Sequence, residues 1–461
     1  MTKKHGRGQG ELIPRSKRPT IQIESSHQLV VLTEELNWDE LLDLAEEIRS
    51  AKMKNNAGRP PHLRALVGAL LLKATRDLTF RQAEDLIRYY APARYLCGLT
   101  ETEWSPDHNT LHDFEVLLGE EGVRLINEYV VKLALKERLT FSSLAVGDTT
   151  AQEAAIPYPN EMKLMAAFMS SVAASALRAG KKLKDFVCAT SDKFQAAKET
   201  VREFRLFAKT KTKEQRLRIM ARMMGHVRSV QNNLAHALEG LKPRVKGYSK
   251  VAFARVKKIH EVMNRLLPQI QYWHRTGWVA ANKIISLTMP KLYSIPRGKV
   301  GKSLEFGLSW GITRLKGGFV LAHLAANKRE LVDARYVIRS VEECRRLFGR
   351  PPTAYAYDRA GHSKANIAKL RELGVRHIGL APRGRTPWEV SGAMKRRLVS
   401  ERIRVEGSIG TLKSRRYGFN RPRARSEGMM GVCGQRAALG MNLTKLAKGM
   451  AERGGFQLAA T

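Results

Sequence analysis

Between residues 303 and 382, short apolar runs alternate with stretches of helical periodicity, and this alternation restricts the chain to an α/β architecture. SLEFGLSWGITRL and GGFVLAHLAA read as strands, followed by a helix from about Val332 to Leu347. TAYAYD then reads as a strand, SKANIAKLRELG as a helix and VRHIGLAP as a further strand. One strand stands far upstream: in LTFSSLAVGDTTAQE an alternating segment ends at Val146 and puts Asp148 at its end. The intervening residues, about 160 to 285, are helical and markedly basic. Because that block sits between one strand and the rest of the sheet, it reads as an insertion after the first core strand.

Ahead of the sheet the pattern is all helical. NWDELLDLAEEIRSA brings Leu41, Leu42, Ala45 and Ile48 near one face, and Gly58 with the paired prolines then breaks the helix. Further helices are predicted around His62 to Thr75 and Thr79 to Tyr90, with another beginning near His108, capped by Ser105 or Asp107. The chain thus divides into a basic flexible arm over 1–36, a helical domain over 37–137, a catalytic domain over 138–450 and a flexible tail over 451–461. A small basic helical domain is a common way to present one helix to a DNA groove. An ordinary helical core with a solvated face would give the same pattern.

The charge balance narrows the partners. With 81 Lys plus Arg against 43 Asp plus Glu, the net charge is +38, which favours a polyanion, nucleic acid before an anionic membrane. The longest apolar stretch, LMAAFMSSVAASAL, falls short of the roughly 18 to 20 residues that a membrane span requires. MTKKHGRGQG is followed by no apolar signal core, so a cytoplasmic protein associated with nucleoid DNA is expected. Cys97, Cys188, Cys344 and Cys433 lie far apart, lack the spacing of zinc-ligand pairs and are expected to be reduced. Within the insertion, Arg202, Arg205, Lys209, Lys211, Lys213, Arg216 and Arg218 point to contact with DNA or with another subunit; a solvated helix face is the alternative.

Three carboxylates carry candidate chemistry. Asp148 and Asp358 each end a predicted strand and Glu406 lies on a predicted helix. Brought together, such groups can hold two Mg²⁺ ions about 3.5 to 4 Å apart for phosphoryl transfer. An aspartate at a strand end also serves simply to turn the chain. In RIRVEGSIGTLKSRRYG, Arg402, Glu406 and Lys413 fall on nearly one helical face, beside an apolar stripe of Val405, Ile409 and Leu412. The stripe can dock on a sheet and leave Glu406 along its edge; equally, Arg402 and Glu406 could form an exposed pair worth a few tenths of a kcal/mol. His362 suits a local capping or packing role, and His108 and His112 lack a third partner at persuasive spacing, so no histidine is assigned to a metal.

These segments resemble the bacterial insertion-sequence transposases of the DDE type, in the IS4 and IS5 grouping and nearest its ISNCY branch. VGDTT corresponds to the first acidic motif and YDRAGHSKANIAKLRELGV to the second, which implies Asp148 and Asp358 as metal ligands. The third motif is Tyr, two residues, Arg, three residues, Glu, six residues, Lys; Arg402, Glu406 and Lys413 fit each interval, while Val399 replaces the Tyr. GKVGKSLEFG also matches a recurring segment, which implies DNA contact by Lys299 and Lys302. The resemblance runs from about residue 37 to 447. It implies an RNase H-like catalytic core, a mixed sheet flanked by helices, with Asp148 and Asp358 on adjacent central strands. It further implies two Mg²⁺ ions, with Mn²⁺ as a substitute, and double-stranded DNA as substrate at terminal inverted repeats and target. A homo-oligomer, a dimer foremost, would bring two DNA ends together. A catalytically silent DNA-binding derivative and a metal-dependent nuclease that does not transpose share many of these features.

Overall fold

The first helices form where capping residues and apolar periodicity coincide. A computed structural model describes residues 22–53, 61–206, 210–241, 248–299, 302–327, 330, 333–382 and 388–455. These fall into two compact units, one comprising the chain up to Phe141 together with Gln435 onward, the other running from Ser142 to Gly434.

In the first unit, α1 (Gln28–Glu35), α2 (Trp38–Lys52), α3 (Leu63–Thr75), α4 (Phe80–Tyr89), α5 (Ala91–Leu96) and α6 (His108–Lys136) follow one another. Asn37 caps α2, and Thr79 and Gln82 form a reciprocal capping box on α4. Of the two residues considered for α6, Asp107 is the cap, accepting from the Asn109 and Thr110 amides at 2.8 and 2.9 Å. Gly119, with φ 63°, breaks α6 into two segments. Leu41, Ala45 and Ile48 are buried on the anticipated face of α2. Within the stretch read as an arm, residues 1–21 lie outside the described residues, and Gln28–Glu35 forms α1, whose apolar run Leu29 to Leu32 is buried.

The second unit carries a six-stranded sheet. Its elements are β1 (Phe141–Glu153), α7 (Glu161–Ala179), α8 (Lys181–Ala189), α9 (Ser191–Leu206), α10 (Lys213–Leu238), α11 (Tyr248–Thr276), β2 (Tyr293–Lys299), β3 (Lys302–Lys316) and β4 (Val320–Leu324). They continue with α12 (Asp333–Phe348), β5 (Ala354–Tyr357), a 3₁₀ turn (Arg359–Gly361), α13 (Lys364–Glu372), β6 (His377–Leu380), α14 (Gly392–Leu412) and the start of α15 (Glu427–Arg453), whose residues from Gln435 on belong to the first unit. The strand order is β2-β3-β1-β5-β6, with β4 also on β3. β2 and β4 are antiparallel to β3, whereas β5 is parallel to both β1 and β6. The expectation of a mixed sheet flanked by helices, preceded by helices and interrupted after its first strand, describes this arrangement. Helices α7 to α11 close around an apolar core of their own that includes Phe168, Val172, Met223, Val227, Met263 and Leu266.

Two boundaries differ from the sequence reading. β1 does not stop at Val146 but runs on to Glu153, because β3 lies alongside and the Ala154 amide donates to the Phe306 carbonyl at 2.8 Å. The chain from Gln435 onward joins the first unit rather than completing the domain expected over 138–450. There Asn442 donates to Asn127 at 2.7 Å and Arg436 to Glu115 at 2.7 Å, with Ala438, Leu439 and Leu443 fully buried. Among the described residues no helix is long and apolar enough to cross a membrane, and all four cysteines are free.

Candidate active site

The register of the two central parallel strands brings the aspartates together. Leu144 pairs with Ala354 and Val146 with Ala356, so the chain reaches Asp148 on β1 and Asp358 after β5 two residues beyond that last pair. Neighbouring strands lie about 4.8 Å apart, which makes these two positions close neighbours just past the last β1–β5 pair. Both side chains are half-buried. One oxygen of Asp148 accepts from the Thr149 amide at 2.7 Å, and one of Asp358 accepts from the Ala360 amide at 2.9 Å, starting the 3₁₀ turn.

The sheet is shaped to support these positions. Alternation sends Leu144, Val146, Ala354 and Ala356 to one face, where Leu398 and Val405 of α14 pack on them. Tyr355 and Tyr357 are fully buried. A Cβ on Gly147 would run into the Tyr355 hydroxyl and come 2.9 Å from the Tyr357 ring, so this close approach requires glycine. The Tyr355 hydroxyl shares a 2.6 Å hydrogen bond with Ser340, while Tyr336 and Thr313 share one of 2.8 Å. Burial raises the Tyr355 pKa and the Ser340 hydrogen bond opposes it; the charges of Asp148 and Asp358 add to the rise.

Glu406 lies apart from this pair. It is on α14, as expected, with Val405 and Leu412 buried and Ile409 partly so, yet its own side chain is 65% exposed and faces Arg402 at 3.8 Å. Lys413 caps the C-terminus of the helix. Val399, at the position of the family tyrosine, is exposed. Among the described residues, no group of three or more His, Cys, Asp or Glu side chains is gathered closely enough to hold a metal ion. The hard oxygen donors of Asp148 and Asp358 suit Mg²⁺ or Mn²⁺, whereas a three-carboxylate set is not assembled.

A different glutamate occupies the buried face of α14. Glu401 is 8% exposed and ion-paired with Arg314 of β3 and, at 2.6 Å, with Arg404. Leu398, Glu401, Val405, Ser408 and Leu412 are the buried residues of this helix, spaced by three and four. That spacing, together with an arginine inside the apolar strand text GITRL, was the signal for the pair, which the sequence reading passed over.

The basic candidates divide. Arg202 and Arg205 on α9 and Lys213, Arg216 and Arg218 on α10 are exposed. Lys211 is instead 3.3 Å from Glu203, which also binds Arg222. Lys209 lies outside the described residues, as do the side chains of Lys299 and Lys302, whose backbones pair across the β2–β3 hairpin. In the first unit, His108 binds Glu84 and His112 neighbours Asp113, each with one carboxylate.

Residues 19–116 match a family model described as a transposase domain (DUF772). No curated protein and no solved structure matches the chain. The similarity to transposases thus falls on the helical region ahead of the sheet.

Proposed function

We propose that the chain is a DDE-type DNA transposase of the insertion-sequence class, in the IS4 and IS5 grouping and its ISNCY branch, with an RNase H-like core. The observation that carries the reading is that Asp148, within β1, and Asp358, just after β5, both lie two residues beyond the last pair of these adjacent parallel strands. The transposase-domain match over 19–116 supports it independently of the carboxylates.

In this reading Asp148 and Asp358, joined by Glu406, would hold two Mg²⁺ ions, which would supply activation of a water or 3′-hydroxyl and stabilisation of the leaving oxygen. The chain's own work is positioning. The Tyr355–Ser340 hydrogen bond and the close seat of Gly147 fix the strands, and the 3₁₀ turn holds Asp358. Arg402 and Lys413 offset phosphate charge as it develops. Basic residues of the insertion hold the DNA backbone, and the helical domain contributes recognition of terminal repeats, with Arg81 and Arg88 on the solvent face of α4. The protein acts in the cytoplasm on nucleoid DNA as a dimer.

The test is cleavage and joining of a labelled duplex carrying the sequence that flanks the gene, in Mg²⁺ and in EDTA, comparing wild type with Asp358→Asn. Metal-dependent cleavage and joining that the variant loses is the expected result. The exposure of Glu406 favours one rival, a catalytically silent DNA-binding derivative. Specific binding without either reaction, in Mg²⁺ and in Mn²⁺, would establish that rival, and cleavage without joining would establish a nuclease.

A further inference from the structure

Where β1 leaves the sheet and the insertion begins, the second unit contains a cavity of about 540 Å³ that the catalytic reading does not use. Its floor is apolar, with Leu164 of α7, Ile259 of α11 and Leu287 from the segment returning to the sheet. Its rim is cationic: Lys163, Arg255, Lys258 and Arg425 come from three helical or loop elements distant in sequence, and all four are exposed. Among the described residues no aspartate or glutamate lines it. Lys258 donates to the Thr288 carbonyl at 3.2 Å, and among the described residues no carboxylate pairs with any of the four. The nearby Glu161 is already held by Lys283. Four like charges converging without a counter-charge repel one another, an arrangement that an anion relieves.

One aromatic completes the lining. Tyr158 stands edge-on to Phe306 at 5.5 Å and remains 63% exposed. A ligand for this site combines a flat apolar body with at least one phosphate-like charge, and the volume falls within the range of small-molecule sites. We infer that the cavity is a nucleotide site, taking a base against Tyr158 and the apolar floor and its phosphate on the rim. The nucleotide comes either free from solution or as an unpaired residue of a DNA strand. The strand source rests on the DNA-processing reading above; the free source does not.

The experiment uses the full chain in EDTA, so that cleavage plays no part. The probes are 2-aminopurine deoxyriboside 5′-monophosphate, a duplex with one unpaired 2-aminopurine, and the same duplex fully paired, with fluorescence quenching and affinity as readouts. Tyr158→Ala is expected to weaken binding at least fivefold, in line with the loss of one base-aromatic stack. Arg255→Glu combined with Arg425→Glu is expected to weaken it at least tenfold, while Lys448→Glu, an equal change per residue elsewhere, leaves it unchanged. Binding of the monophosphate identifies the free source; quenching of the unpaired probe alone identifies the strand. Binding of neither, or binding indifferent to the Tyr158 and arginine variants, overturns the assignment. Footprints on the gene-flanking duplex separate the two readings: no specific protection with nucleotide binding intact removes the transposase reading and leaves the site.

Discussion

Removing the charge of Glu115 tests whether the end of the chain holds the first unit together. Glu115 is 2% exposed and lies 2.6 Å from Lys73 and 2.7 Å from Arg436, which are 2% and 6% exposed. At an effective dielectric of about 20, each contact is worth roughly 6 kcal/mol of gross attraction, much of it offset by the cost of taking the charges out of water. Glu115→Gln keeps the shape but leaves two buried cations facing a neutral amide. Breaking a buried pair from one side costs about 3–5 kcal/mol. Hydrogen exchange of α3 and of the stretch from Gln435 to Arg453 reads this directly, because the unit opens more often by the same free energy. The expected acceleration is about two to three and a half orders of magnitude, with the amides of β5 unchanged. Acceleration below tenfold would refute the argument that this network closes the unit. A pH series supplies a second reading. Burial raises the Glu115 pKa, but Arg436 and then Lys73 outweigh it, so the folded-state value lies below the ordinary 4.5. For a depressed acid, the stabilisation is present above the unfolded value and is lost as pH falls through the folded one. Protection factors in these helices, taken against the intrinsic rate at each pH, are therefore expected to fall on acidification, and Glu115→Gln to remove that dependence.

Gly147→Ala drives a Cβ into the Tyr355 hydroxyl and the Tyr357 ring, so it is expected to cost about 1–3 kcal/mol and to displace Asp148; an unchanged melting temperature with full cleavage activity would contradict this. Glu401→Gln and Glu406→Gln are expected to separate stability from chemistry. The first breaks the buried pair with Arg314 and costs about 3 kcal/mol in denaturation, whereas the second stays within about 0.5 kcal/mol and abolishes strand cleavage. A Glu406→Gln enzyme that still cleaves would remove Glu406 from the proposed site. His323 lies 3.0 Å from Glu343 and 3.2 Å from Glu330; burial lowers its pKa, but the two partners together hold it above 6.5. A raised histidine stabilises fully below its unfolded value and loses that contribution as pH rises through the folded value. Urea midpoints measured from about pH 6 to 9 are thus expected to fall more in wild type than in His323→Gln.

Much of the fold was legible because its signals are local. Asn37, Thr79, Asp107 and Ser363 each cap the helix that their position announces, and alternation at Ala354 to Tyr357 marks β5. What escaped depended on partners distant in sequence. Nothing near Val146 tells β1 to continue, since the reason is β3, more than 150 residues away. Similarly, nothing within α15 announces that its turns from Gln435 onward belong with the first unit, where their acceptors include Glu115 and Asn127, more than 300 residues earlier. At the site, strand ends and helix text located Asp148, Asp358 and Glu406, and the interval of 210 residues between the aspartates contains no hint of the register that joins them.

The extension of β1 also explains how a large insertion can interrupt a sheet beside its candidate catalytic carboxylates. If the strand ended at Asp148, helices α7 to α11 would depart from the carboxylate itself and transmit their fluctuations to it. Instead the strand is pinned on its far side. Gln152 donates to the Met430 carbonyl at 2.9 Å and accepts from the Trp310 indole at 3.0 Å, and its carbonyl sits where a Cβ on Gly307 would be. The chain re-enters at Tyr293 on β2, with β3 between it and β1. The insertion meanwhile satisfies its apolar residues in a core of its own. Asp148 is therefore anchored from both directions, by Gly147 against Tyr355 on one side and by the Gln152 bonds on the other. Bulk added beyond Glu153 changes what surrounds the carboxylates without altering the strand that positions Asp148.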